Sequence, residues 1–355
     1  RSVTDTLKED RELALVADRL GFTEGYFGEH ISDAAETITS SLIFVASLIH
    51  DTSNIKLGTG TVNLPCYHPA MVAAQVAMVD HMAEGRFLFG ISPGGLLSDA
   101  ELFGNLDRDR GEMFVEAINH ILAIWSSDAP YERTGDYWSF STERTLIPEL
   151  GQGSVMKPYQ RPHPPIIVTA VAPFSKGVVE AAKRGWDPIS ANFLLPQWVA
   201  SHWPKYAEGC DAGGRPADLA NWRVAKSVFV AEDLATARRY ATDPGGPYYQ
   251  YYHSIVTKML ANGRGNLFKR DQSAPDESVT VEQVVEDLVI WGTPDKVADE
   301  LCAFREEVGR FGTLLYAGHD WADRELAIRS MELLAFDVAP AVALAEAAPA
   351  RAADA

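Results

Sequence analysis

Cysteine is scarce in this 355-residue chain: Cys66, Cys210 and Cys302 are the whole complement. An odd count at wide separations excludes a disulfide framework and offers no metal-binding pair, so reduced thiols and a cytoplasmic location are expected. Long apolar runs are also missing. None approaches the roughly 20 residues that a membrane-spanning helix requires, and no membrane partner is expected. Positive charge is the third shortage: 31 Lys and Arg stand against 49 Asp and Glu, a formal net charge of −18. That balance argues against a nucleic-acid surface, which relies on Lys and Arg patches, and no nucleic-acid partner is expected. His-x-x-x-His, clustered carboxylates and a Gly-x-Ser-x-Gly elbow are absent too, which leaves metal and serine-hydrolase chemistry unsupported.

The material that is present describes a soluble globular protein, 46% hydrophobic and 23% charged. Apolar runs at 24–29, 55–62, 86–91, 165–171, 187–191, 224–230 and 312–318 are too short for helices and read as buried parallel strands. Helical patterns fill the intervals, at 35–50, 69–83, 110–125, 175–184, 197–210, 233–241, 281–289, 294–308 and 322–337. Alternation of this kind gives a doubly wound sheet or a barrel, and the length favours one α/β (β/α)8 TIM barrel with insertions. The domain is expected over 1–338, with an Ala/Pro-rich tail at 339–355. The chain starts at Arg1 in the run-up to a helix, so the first barrel strand is expected to lie upstream of it.

Two stretches break the alternation. Within 126–164, Gly135-Asp136-Tyr137-Trp138 reads as the turn of a small hairpin. Within 242–280, Pro244-Gly-Gly-Pro247 precedes Tyr248, Tyr249, Tyr251 and Tyr252, and the segment is expected to be a flexible aromatic cover, with Tyr249 and Tyr252 facing the substrate.

Chemistry concentrates where strands end. Gly25-Tyr-Phe-Gly-Glu29-His30 delivers an ionisable pair there, the position where a barrel puts its catalytic residues, although a cap and a core histidine read equally well. Thr59-Gly60-Thr61 puts glycine inside a strand, which fits either close approach of a flat ligand or a simple bulge. Ser92-Pro93-Gly94-Gly95 can bring N–H groups and a small hydroxyl to a ligand. Ser175-Lys176-Gly177 opens a helix and reads as a phosphate site or as a plain N-cap. Gly318-His319-Asp320-Trp321 closes the last strand with another ionisable pair, and His68 before Pro69 reads as a cap.

Taken together, Glu29-His30, Thr59-Gly60-Thr61-Val62 with Leu64-Pro65 and His68-Pro69, Asp80-His81-Met82 and Gly85-Arg86-Phe87 resemble the bacterial luciferase-like flavin monooxygenases. Gly135-x-Tyr137-Trp138, Gly292-Thr293-Pro294 and Phe311-Gly-Thr-Leu-Leu315 through His319-Asp320-Trp321 look like the branch containing limonene monooxygenase and the diketocamphane monooxygenases. The resemblance spans about 10 to 338. It implies a TIM barrel that takes reduced FMN from a separate NAD(P)H:flavin reductase, reacts it with O2 to a peroxyflavin and oxygenates a small, largely apolar or cyclic molecule, as a homodimer. It implies His30 and Ser92 as catalytic residues. Thr59 and Gly60 then lie beneath the flavin ring, often with a non-prolyl cis peptide, and Thr169 and Ser175 surround the ribityl chain and phosphate. Pro93 departs from the family's basic residue, so Lys176 or Arg110 is expected to serve the phosphate beside Gly177. Glu29, Tyr249, Tyr252, His319 and Trp321 are expected to line the substrate pocket. Two alternatives share the fold: a deazaflavin (coenzyme F420) hydride-transfer oxidoreductase, and a non-catalytic flavin-binding homologue.

Overall fold

The segment FLFGIS, Phe87–Ser92, is buried at every position. A parallel strand covered on both faces needs no polar alternation, which is why this run is continuously apolar. The structure is a computed structural model describing residues 2–347. Its strands, in chain order, are β1 Glu24–Phe27, β2 Lys56–Thr59, β3 Val62–Asn63, β4 Phe87–Ser92, β5 Glu132–Thr134, β6 Ser139–Ser141, β7 Ile166–Ala170, β8 Asp187–Ser190, β9 Arg223–Val230, β10 Val289–Gly292 and β11 Thr313–Tyr316. Contacts divide the chain into two units, one holding the residues up to Asp18 and Thr23–Thr169, the other Arg19–Phe22 and the chain from Ala170 onward.

In the first unit β1 pairs with β2, β2 and β3 with β4, and β4 with β7, all in parallel. The expected hairpin is there as antiparallel β5 and β6. Its turn is held by Glu116, which accepts the N–H groups of Asp136, Tyr137 and Trp138. Helix Pro69–Ala83 starts as the sequence implies, with His68 Nδ1 accepting the Ala70 N–H at 3.2 Å. Asp80 on that helix is fully buried and accepts both the backbone and side-chain N–H groups of Gln160. Arg86 donates to the carbonyls of Ile49 and Ile55. These two family-pattern residues are therefore ties that hold loops to the sheet.

In the second unit β9 organises the sheet: β8 and β11 pair along its first half, and β10 along Ser227–Val230. The sequence pattern does not anticipate β10. Its four residues follow helix Val281–Leu288 without a break, so the change of period has no room to show.

The aromatic insertion also differs from expectation. It is helical over Pro247–Ala261, and Tyr248, Tyr252, Ile255 and Val256 form its buried face. Spacings of three and four residues mark that face, and the run of tyrosines conceals it. Tyr249 sits half-buried at the edge of that face with its hydroxyl on Glu282, so it is part of a helix and not of a flexible cover. The expected tail is likewise helical over Ala339–Ala347, with Val342 packed on the second unit's core. Residues 348–355 lie outside the described ones.

One close approach sets the first unit's geometry. A Cβ built on Gly90 would lie 1.8 Å from the Thr59 carbonyl oxygen, so β2 and β4 can meet here only across a glycine. The Thr59 hydroxyl closes the contact by donating to Gly90 O at 2.7 Å and accepting Gly90 N–H at 2.9 Å. Gly90→Ala should cost about 3 kcal/mol or prevent folding, the upper range for overpacking. Gly95→Ala, where a Cβ meets nothing within 4 Å, is the control, and urea unfolding compares the two.

Candidate active site

Beyond β1, Glu29 is 5% exposed and its carboxylate is fully engaged. Oε2 accepts the Ser41 N–H and hydroxyl at 2.9 and 2.7 Å, and Oε1 accepts the Asn63 N–H at 3.0 Å. A buried charge persists only with such partners. Glu29 is therefore a strut between β1, β3 and helix Ser41–Leu48, which corrects its expected place in a pocket wall. Asn63 extends the strut: its Nδ2 donates to Glu29 O, and its Oδ1 accepts the Ser92 hydroxyl at 2.7 Å. Ser92 Oγ in turn accepts the Gly94 N–H at 3.1 Å. This fixes the hydroxyl at the end of β4.

His30 leaves the same strut on the other side. Its Nδ1 meets Asp99 Oδ2 at 3.2 Å, and its Nε2 lies 3.4 Å from the exposed Glu36. Asp99, on helix Leu97–Leu102, also accepts the N–H groups of Ile31 and Ser32 and the Ser32 hydroxyl. Burial opposes its ionisation, yet the Ser32 hydroxyl, His30 and the two amides outweigh that and hold the carboxyl below the usual range. A fixed carboxylate on Nδ1 orients the ring and leaves Nε2 as the working nitrogen. The Glu36 contact is exposed and weak, so a ligand can displace it. Sequence reasoning missed Asp99 and Asn63. Asp99 is 69 residues from His30, and neither position carries a local pattern.

The Gly60–Thr61 peptide is cis, as the resemblance implied. Thr59 is fully buried with its hydroxyl committed to Gly90, so any contact it makes with a ligand comes from its backbone. Arg110, first in helix Arg110–Ser126, donates to Gly94 O at 3.1 Å and braces the loop after Ser92. Thr169 is exposed between buried Val168 and Ala170, and its hydroxyl bonds no described residue. Cys66 is no nucleophile, since burial, with Asp99 and Glu29 nearby, pushes its thiol up to about 11. A groove of about 760 Å³ lies beside the hairpin, lined by Glu112, Glu116, His120 and Tyr137. None of the strand-end residues lines it, and strand ends are where this architecture does chemistry.

In the second unit Ser175 caps helix Lys176–Lys183, accepting the Val178 N–H at 3.3 Å. Lys176 is exposed and Gly177 leaves open space above the first turn. The loop before it is pinned: Ser201 Oγ accepts the Phe174 N–H, and buried His202 reaches Ala172 O at 3.0 Å. Tyr252 donates toward Ser227, whose hydroxyl meets His319 Nε2 at 3.0 Å. Trp321 is 3% exposed, a core residue by burial. Among the described residues no His, Cys, Asp and Glu group can hold a metal ion, and no helix is long and apolar enough to cross a membrane.

Because Asp99 is held below its unfolded value, it stabilises the fold above about pH 4 and loses that contribution as pH falls through its folded value. Asp99→Asn should therefore cost about 2 kcal/mol at pH 7, the scale of hydrogen bonds to a charged group. Urea unfolding from pH 7 down to 3 should show the gap from the parent closing; a constant gap would mean that the charge plays no part.

Comparisons with known proteins give the family. The family described as luciferase-like monooxygenase matches residues 1–310. The 4-hydroxyprotoasukamycin monooxygenase of Streptomyces nodosus subsp. asukaensis is 32% identical over 94% of this chain and 86% of its own. Limonene 1,2-monooxygenase of Rhodococcus erythropolis is 30% identical over 94% and 81%. Among solved structures, the oxygenating constituent of 3,6-diketocamphane monooxygenase from Pseudomonas putida, a type II Baeyer–Villiger monooxygenase in complex with FMN, superposes with a TM-score of 0.86 at 25% identity, covering 96% of this chain and 94% of that one. The α/β TIM-barrel class expected from the sequence is thus the class of its relatives, and the chain belongs to the luciferase-like monooxygenase family.

Proposed function

We propose that this monooxygenase is an oxygenase component that takes reduced FMN from a separate NAD(P)H:flavin reductase and uses O2 to oxygenate a small, largely apolar cyclic molecule. The observation that carries the reading is the scaffold Ser92–Asn63–Glu29, which holds a hydroxyl at one end and leads at the other into His30, itself oriented by Asp99.

The residues fit the flavin. Thr169 offers an uncommitted hydroxyl of the kind a ribityl chain takes, and Lys176 with the free N–H groups of the first helical turn offers what a phosphate takes. When bound and reduced, the flavin would supply the electrons that activate O2, chemistry that belongs to the cofactor. The chain's own part is positioning and proton control. Asp99 keeps His30 in one orientation, so that Nε2 holds or gives a proton at the reacting oxygen. The Ser92 hydroxyl is fixed as a donor to Asn63 and an acceptor from Gly94, which keeps its position independent of solvent.

His30→Ala should leave FMN affinity within about twofold and lower product formation about 100-fold, the scale of a lost acid–base group. Flavin fluorescence titration and product analysis measure the two separately. Normal turnover at equal flavin occupancy would make His30 structural. Chemically reduced FMN, with no reductase added, should sustain turnover; a strict need for the reductase protein would contradict flavin transfer by diffusion.

A further inference from the structure

Asn63 does more than hold Ser92 in place, because it also decides where the serine proton goes. Its amide sits between two oxygens. The Glu29 carbonyl, 3.2 Å from Nδ2, can only accept, so the nitrogen must face it and Oδ1 must face Ser92. A flipped amide would set two carbonyl oxygens against each other. Oδ1 lies 2.7 Å from Ser92 Oγ and can also only accept, so the Ser92 proton is committed to that bond. Both assignments rest on partners that carry no proton and cannot reverse their role.

What remains to Ser92 is acceptance alone. Its oxygen has two lone pairs, and the Gly94 N–H takes one of them at 3.1 Å. Among the described residues no further donor meets the other. Ser92 keeps 9% of its surface exposed, so a ligand atom can touch it. A ligand acceptor placed there would face a lone pair with no proton between them, and both atoms would stay unpaired. A ligand N–H would complete the bonding of the oxygen. The flavin of the proposed reaction changes this property at one ring atom. Oxidised FMN has a bare N5, an acceptor, whereas reduction places a proton on N5 and makes it a donor.

We propose that Asn63 is a positioning residue that makes Ser92 an obligate acceptor, and that Ser92 Oγ takes the N5–H of reduced FMN, so that the pair discriminates between the two redox states. This deepens the oxygenase reading and rests on it for the identity of the cofactor. The test needs no turnover. The full chain is titrated anaerobically with oxidised and with photoreduced FMN, and the ratio of the two dissociation constants is read.

The parent should bind the reduced form about tenfold more tightly, the value of one hydrogen bond. For a two-electron couple that raises the midpoint potential of the bound flavin by about 30 mV. Asn63→Ala frees the Ser92 proton to turn toward a bare N5, so the ratio should fall toward one. Ser92→Ala should lower it too, and the double variant should lower it no further. Oxidised 5-deazaFMN, with a C–H in place of the N5 lone pair, probes the parent alone and should bind about fivefold more tightly than oxidised FMN, which keeps the test open if a variant fails to fold. A merely structural Asn63 would weaken both redox forms equally. An unchanged ratio in Asn63→Ala, a further fall in the double variant, or no advantage for 5-deazaFMN each overturns the assignment. Failure of FMN to bind in either state would sink the oxygenase reading and this inference with it, whereas equal binding of both states would sink this inference alone.

Discussion

The first unit depends on a carboxylate that, among the described residues, pairs with no cation. Glu29 is buried, and its oxygens are held by donors: a helix N-terminal amide, a serine hydroxyl, the backbone of β3 and the Tyr67 side chain. Removing any one leaves a desolvated charge under-bonded, which costs more than the bond itself contributes. Three separate segments must therefore arrive together before Glu29 can be buried at all. Ser92 inherits its position from that convergence through Asn63, and His30 inherits it through the adjacent backbone. The ends of β1, β3 and β4 are thus coupled by one ionised group.

The second unit solves the same problem with neutral groups. His202 and His319 are both depressed by burial, to about 4 and about 3, and each takes its place through a serine hydroxyl instead of a carboxylate. Ser190 accepts the Trp222 indole N–H and meets His202 Nδ1 at 2.9 Å, while His202 Nε2 faces the Ala172 carbonyl. A neutral relay of this kind orients an imidazole without adding charge to an apolar surrounding. The first unit thus orients His30 through a carboxylate, and the second orients His202 and His319 through serine hydroxyls.

What could be read in the sequence follows from how local each signal is. The apolar runs that became β1, β2, β4, β7, β8, β9 and β11 show because burial of most of their positions favours short runs of apolar residues, most completely in β4, a constraint visible within one run. His68 shows as a cap because the cap and its Pro69 are neighbours. Val289–Gly292 does not show, because a four-residue strand abutting a helix changes period too late to be seen. The tyrosines after Pro247 mislead because their chemistry suggests a cover while their spacing makes a helix face. Asp99 and Asn63 are invisible for a different reason: each matters only through a partner dozens of residues away. Glu29 was found and its role misread, since a strand-end carboxylate looks the same in sequence whether its oxygens are spent or free.

That last distinction separates scaffold from site throughout this protein. Thr59, Glu29 and Asn63 spend most of their hydrogen-bonding capacity on the fold, while the Ser92 hydroxyl keeps one acceptor site beyond its bonds to Asn63 and Gly94. Capacity remains at His30 Nε2, whose partner Glu36 is exposed, and at Thr169 and Lys176. A bound molecule must take its polar contacts from groups the fold can spare, because a donor withdrawn from the scaffold leaves a buried acceptor unpaired at a cost of about 1–3 kcal/mol.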